Sequence, residues 1–200
     1  VGDLGRAIPL YEATLSQREQ VLGDTHPDTL ATRNNLAHAY KSAGDLGRAI
    51  PLYEATLTQS EQVLGDTHPN TLATRNNLAL AYYAAGDLGR AITLFEATLA
   101  QYEQVLGQYE QVLGDTHPNT LNSRNHLALA YYAVGDLGRA ITLFEATLAQ
   151  YEQVLGDTHP HTLTGRNNLA HARLATQAVQ QTSTATSATD HDRQPPSGTK

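Results

Sequence analysis

The chain contains no cysteine, which removes disulfide frameworks, thiolate metal sites and cysteine nucleophiles together. Lysine is almost missing: Lys41 and Lys200 are the only two, and the eleven arginines are spread along the sequence. With a net charge of -7 there is no clustered basic surface of the kind that phosphate contacts need, so no nucleic-acid partner is expected. No apolar run approaches the roughly 18 residues that a membrane-spanning helix takes. No secretory leader is visible. The composition reads as soluble and cytoplasmic, with no membrane partner. Methionine is absent altogether, and the opening Val1-Gly2-Asp3-Leu4-Gly5-Arg6-Ala7 matches the stretch that begins at Val134. The chain therefore starts inside a repeat and is expected to be a piece of a longer protein.

What the sequence does have is a period. The segment that starts at Gly23 starts again at Gly65, Gly114 and Gly156, with spacings of 42, 49 and 42 residues. A fixed period of this size marks a solenoid, whose units are too thin to bury an apolar face alone and must stack. Each unit has two helical halves. The first opens at His-Pro, as in His68-Pro69, since proline suits the first helical turn, where its missing N–H has no partner anyway. Leu72, Leu78, Ala79 and Tyr82 follow at helical spacing. Gly86 ends this half and Asp87 caps the next, in which Leu88, Ala91, Ile92, Phe95 and Leu99 share one face. The expected fold is an all-α, α-α solenoid of antiparallel helix pairs over residues 1–179: a half repeat, three full repeats and a terminal capping helix. That last helix has Arg173 where Tyr40, Tyr82 and Tyr131 stand earlier, and Ala175-Thr176-Gln177-Ala178 replaces the Gly-Asp stop. Residues 180–200 are rich in Thr, Ser, Ala and Gln and predict a disordered tail.

Two irregularities stand out. Pro9 and Pro51 fall well inside second-half helices, where later repeats have Thr93 and Thr142. Each removes a helical hydrogen bond, at a cost of about 3 kcal/mol in an unadapted helix, and predicts a bend. The heptad QYEQVLG occurs twice in succession, from Gln101 and from Gln108. Seven residues are nearly two turns, so a duplication keeps the apolar face in phase and lengthens the helix by roughly 10 Å. It reads as a tolerated duplication, with a partner-gripping protrusion as the other reading. Glu96, Glu103 and Glu110 recur at the same spacing and read as a solvated face.

Leu78-Ala79, Tyr82, Gly86, Ala91 and Phe95 resemble the packing residues of a tetratricopeptide repeat. The 42-residue length and the phrases HPNTLATRNNLALAYYAAGD and LGDTHP are most similar to the kinesin-light-chain subgroup and its bacterial relatives. Thr98 departs from the pattern, standing where a small alanine is usual. The resemblance implies a right-handed superhelix with first-half helices lining its concave groove, and a peptide-binding or scaffolding role without chemistry of its own. It also implies that a chain of this kind forms the sensor or adaptor part of a larger bacterial regulator.

On that pattern the groove residues are Asn34, Asn35, Asn76, Asn77, Asn125, His126, Asn167 and Asn168, a ladder whose amides offer donors and acceptors to an extended backbone. The structural alternative is that these amides bond between neighbouring helices. His38, Leu80, Leu129 and His171, with Lys41, Tyr83 and Tyr132, are candidates for side-chain selectivity, or equally for packing at the repeat edge. Arg33, Arg75, Arg124 and Arg166 recur in phase and read as arginines paired with glutamates of adjacent second-half helices. Capture of an acidic partner is their rival role. The nine histidines include only one close pair, His159 and His161, so neither metal nor cofactor is expected. No nucleophile, phosphate loop or carboxylate pair suggests catalysis. The leading reading is a non-catalytic scaffold that binds a peptide or helical segment. Its alternative is head-to-tail self-association through the N-terminal helix and the terminal helix, each of which lacks its pair-mate.

Overall fold

The computed structural model describes residues 3–108 and 118–191, with side chains for residues 3–102 and 118–181. Within these residues there are eight helices and no strand: α1 (Leu4–Leu22), α2 (Pro27–Ser42), α3 (Leu46–Leu64), α4 (Pro69–Ala84), α5 (Leu88–Gln108), α6 (Pro118–Ala133), α7 (Leu137–Leu155) and α8 (Pro160–His191). The second copy of the duplicated heptad beyond Gln108, the side chains of Glu103 and Glu110, and His117 lie outside the described residues.

Local chemistry sets the boundaries. Each first-half helix begins with proline, and in α2, α4 and α8 a histidine cap precedes it: Nδ1 of His26, His68 and His159 accepts the N–H of Asp28, Asn70 and His161 at 3.1–3.2 Å. Second-half helices begin at aspartate, with Asp45 Oδ1 accepting the Arg48 N–H at 3.1 Å. Between the halves Gly44 takes a φ of +80°, a conformation cheap only for glycine. That lets the Asp45 N–H return to the Tyr40 carbonyl at 2.9 Å and close the helix end. Pro9 and Pro51 do not divide α1 or α3, each of which runs 19 residues without a break. Both prolines are exposed, as are Gly5 and Gly47 four residues earlier, so the carbonyls that lose an N–H partner lie on the solvent side. In α5 and α7 the Thr93 and Thr142 hydroxyls donate to the matching Gly89 and Gly138 carbonyls at 3.1 Å.

The core is continuous along the stack. Ala37, Ala79 and Ala128 are fully buried where helices cross closely, and Tyr53, Phe95 and Phe144 fill the space behind them. Thr98 fits this interior without cost, because its buried hydroxyl donates to the Leu94 carbonyl at 2.7 Å.

Packing separates two layers. Every helix packs on its sequence neighbours, and α2, α4, α6 and α8 also touch one another in series. Among the described residues α1, α3, α5 and α7 do not. A stack whose one layer is in contact and whose other is splayed must curve toward the contacting layer, so α2, α4, α6 and α8 form the inside. At the far end α8 stays helical to His191, past Gln180 where the composition predicts a tail. Between Arg173 and His191 the sequence has neither glycine nor proline to stop the helix.

Candidate functional site

The four inner helices bring the predicted groove residues to one layer. Asn35, His38, Tyr132 and Asn167 are exposed, and Asn34, Asn76, Asn77, Tyr83, Asn125, His126 and Asn168 are half-buried. None is sealed from solvent. Tyr83, Leu80 and Leu129 pack against the core along one flank.

The asparagines make bonds across the layer. Asn77 Nδ2 donates to Asn34 Oδ1 at 3.3 Å, joining α4 to α2. Asn168 Nδ2 donates to Asn125 Oδ1 at 3.5 Å, joining α8 to α6. The α4/α6 junction lacks this rung because the equivalent of Asn77 is His126. There Ser123 Oγ donates to Asn76 Oδ1 at 3.3 Å instead. The His126 ring turns against Phe95, 5.7 Å between centroids, and its Nδ1 is buried with no hydrogen-bond partner.

The inner layer is also poor in negative charge. The sequences of α4 and α6 contain no aspartate or glutamate, and α2 contains only Asp28 in its first turn. Among the described residues the glutamates lie on the outer helices and pair there with arginines of the inner ones. Arg33 Nη2 donates to Glu19 of α1 at 2.7 Å and Nη1 bonds Gln59 of α3, so one guanidinium clamps α2 to both outer neighbours. Arg75 meets Glu61 at 2.7 Å, Arg124 meets Gln150 at 2.7 Å and Arg166 meets Glu152 at 2.7 Å. Arg33, Arg75 and Arg166 thus meet glutamates of adjacent outer helices, as their spacing predicts, while Arg124 bonds a glutamine. Lys41 is different: it is half-buried, and among the described residues it forms no ion pair. Burial lowers its pKa. Burial, then the Lys41 charge, lowers the pKa of His38 and takes that of His126 down to about 4. Both imidazoles are thus held neutral near pH 7.

Sequence reasoning missed two features. On the outer side the Arg48, Arg90 and Arg139 guanidinium groups lie over the rings of Tyr40, Tyr82 and Tyr131 at 4.1–4.2 Å. Each tyrosine hydroxyl donates to a glutamate of the preceding outer helix: Glu12, Glu54 or Glu96. In α8 Arg173 replaces the tyrosine and reaches Glu145 directly at 2.8 Å. The in-phase recurrence of Tyr, Asp and Arg carried that signal. The second is a cavity of about 300 Å³ between α4 and α6, walled in part by Asn76, Asn122, Ser123, His126 and Tyr102. Its signal was the clustering of departures from the repeat in one helix, since Asn122 stands where Ala31 and Ala73 stand and Ser123 where Thr32 and Thr74 stand. The His159 and His161 rings stack 5.2 Å apart, with Tyr151 5.8 Å from His161. Among the described residues no three His, Asp or Glu side chains converge, and no helix is long and apolar enough to cross a membrane.

Comparison with known proteins agrees with this architecture. The tetratricopeptide repeat family model matches residues 1–58, 40–104, 97–153 and 124–181. A crystal structure of repeats from Podosopora anserina, assigned to a kinesin light chain and described as nearly identical TPR-like repeats, is similar at 31% identity and TM-score 0.74. It covers 90% of this chain and 82% of that one. Its Q17M variant gives TM-score 0.75 at the same identity and coverage. BtubC (BKLC) from P. vanneervenii shares the fold at TM-score 0.74 and 22% identity, over 100% of this chain and 78% of that one. No curated protein matches the sequence. Repeats in phase over almost the whole chain, stacked as eight antiparallel helices, place this protein in the tetratricopeptide repeat family, with kinesin-light-chain-type structures among its neighbours.

Proposed function

We propose that the inner layer of α2, α4, α6 and α8 binds an extended peptide or a helical segment of a partner protein, without catalysis. Tetratricopeptide arrays are in general protein-interaction scaffolds, and one observation carries the finer reading here. The inner layer is lined by amides, imidazoles and tyrosines with solvent access, while among the described residues Glu19, Glu61 and Glu152 are paired with Arg33, Arg75 and Arg166 on its outer side. Amides bonded to each other at one end keep the other end for a ligand backbone. Residues 1–179 form the binding array on this reading, as the sensor or adaptor part of a larger bacterial regulator.

The test is selection of binders from a displayed peptide library, followed by Asn35→Ala, Asn77→Ala and Asn168→Ala together. Binding of the selected peptides is expected to fall at least tenfold while the helical circular dichroism stays unchanged. Unaltered affinity would remove the asparagines from the site.

Head-to-tail self-association is the second reading, favoured by α8. Leu163 is 52% exposed, whereas its equivalents Leu30, Leu72 and Leu121 are 1–2% exposed, because no outer helix covers α8 among the described residues. The sequence of α1 matches α3, which covers α2, except at Ser16 and Arg18. Sedimentation velocity that shows one monomeric species at all concentrations would dispose of it.

A further inference from the structure

The α4/α6 junction differs from its neighbours in a way that points to a particular ligand group. Its cavity of about 300 Å³ has room for a side chain. The matching cavity between α2 and α4 is only about 140 Å³. The extra space sits where Ser123 lacks the methyl of Thr74 and where His126 has turned away toward Phe95.

The polar atoms of the wall are pre-set. Asn76 Oδ1 accepts from Ser123 Oγ at 3.3 Å, and Asn122 Oδ1 accepts from the Tyr151 hydroxyl at 3.3 Å. Asn77 Nδ2 donates to Asn34. One end of each amide is committed, and that fixes which way the amide points. Left without a protein partner among the described residues are the Nδ2 groups of Asn76 and Asn122, Oδ1 of Asn77 and Nδ1 of His126. Asn76, Asn77 and Asn122 line the cavity, so their open donors and acceptor border one space, whereas His126 Nδ1 is closed off against Phe95. Among the described residues no charged side chain lines the cavity, and burial keeps His126 neutral near pH 7.

We propose that this cavity is a recognition pocket for an uncharged primary amide, the side chain of glutamine or asparagine, on the segment bound to the inner layer; it rests on the groove reading above. A carboxylate or ammonium entering the cavity would lose its hydration with no counter-charge among the described residues of the wall. A hydrocarbon would strand the polar atoms already there. A primary amide supplies both a donor pair and an acceptor and carries no charge. Lys41, whose charge is felt at His126, is not on the wall and favours the competing carboxylate, so glutamate is the discriminating control.

The probes are N-acetylglutamine methylamide and its glutamate and methionine counterparts, titrated into the isotope-labelled full chain. The NMR signals of the His126 ring and of the Asn76 and Asn122 amides report on the pocket. The glutamine compound is expected to shift these signals saturably, with a Kd at least tenfold below that of either counterpart. The response should vanish in Asn122→Ala, a variant that keeps the fold because Ala31 and Ala73 occupy the equivalent position. Equal or tighter binding of the glutamate or methionine compound overturns the proposal, as does an absence of shifts with all three. Saturable glutamine binding with no library peptide retained would remove the groove reading and leave the pocket. Library peptides that bind through the asparagines but show no amide preference would do the reverse.

Discussion

The α2/α4 and α4/α6 junctions are made from the same two helix types one repeat apart, yet they resolve their polar residues in opposite ways. At α2/α4 the amide of Asn77 reaches Asn34 and the remaining cavity is about 140 Å³. At α4/α6 histidine replaces that asparagine, the rung is lost and the cavity is about 300 Å³. A closed rung holds two inner helices together, while an open one leaves atoms for something else to bond. Within one solenoid, therefore, one junction closes on its own amides while the next keeps them open.

The largest perturbation should come from the floor of the open junction. Phe95 is fully buried in α5 and supports the His126 ring; Phe95→Ala should cost about 3–5 kcal/mol, read by urea unfolding. Because repeats couple mainly to neighbours, hydrogen exchange should rise most in α4–α6 and least in α1. A uniform rise would mean that the two junctions do not behave separately.

Acid should separate the junctions next. The folded chain holds His126 neutral down to about pH 4, whereas the unfolded chain protonates it near 6.5. Unfolded protein binds more protons in that window, so His126 adds stability above pH 6.5 that is lost as pH falls toward 4. The loss is on the order of 3 kcal/mol for this residue. His126→Asn, which restores the rung residue of the other junctions, should flatten the acid limb of a Tm-against-pH curve. An unchanged limb would mean that His126 does not set the acid sensitivity.

Tyr53 occupies behind α2/α4 the position that Phe95 holds behind α4/α6. Its hydroxyl is buried without a partner, and burial pushes its pKa up. Tyr53→Phe should make the two sites alike and raise stability by about 1 kcal/mol, seen as an upward shift of the urea midpoint. A loss of stability would show that the hydroxyl is satisfied in solution.

The smallest effect should follow Ser123→Thr, which returns the missing methyl to the open junction. Filling part of the cavity should stabilise by up to about 0.8 kcal/mol and weaken capture of the glutamine probe. If stability rises and probe binding is untouched, the ligand does not use this part of the cavity.

The arginine staples were readable from sequence because Arg33, Arg75, Arg124 and Arg166 keep one phase, and a buried guanidinium needs a carboxylate or an amide within reach. The tyrosine–arginine stacks were not foreseen. Tyr82 and Arg90 are eight residues apart and on different helices, so only the chain reversal at Gly86 and Asp87 brings them together. The groove residues were legible as positions on the inner layer, but their hydrogen-bond partners were not. Asn77 bonds a residue 43 positions away, and nothing local indicates whether that amide turns to its neighbour or to solvent.

By itself the sequence determined the helices, their caps and the face each one buries, because proline, glycine, aspartate and the spacing of apolar residues act over one or two turns. Repetition then dictated stacking, since a single pair cannot bury its own face. Only the tertiary structure decided which inner-layer atoms are consumed by cohesion and which stay open. That outcome depends on how closely successive inner helices approach, and differences as small as a serine methyl or an imidazole in place of an amide change it.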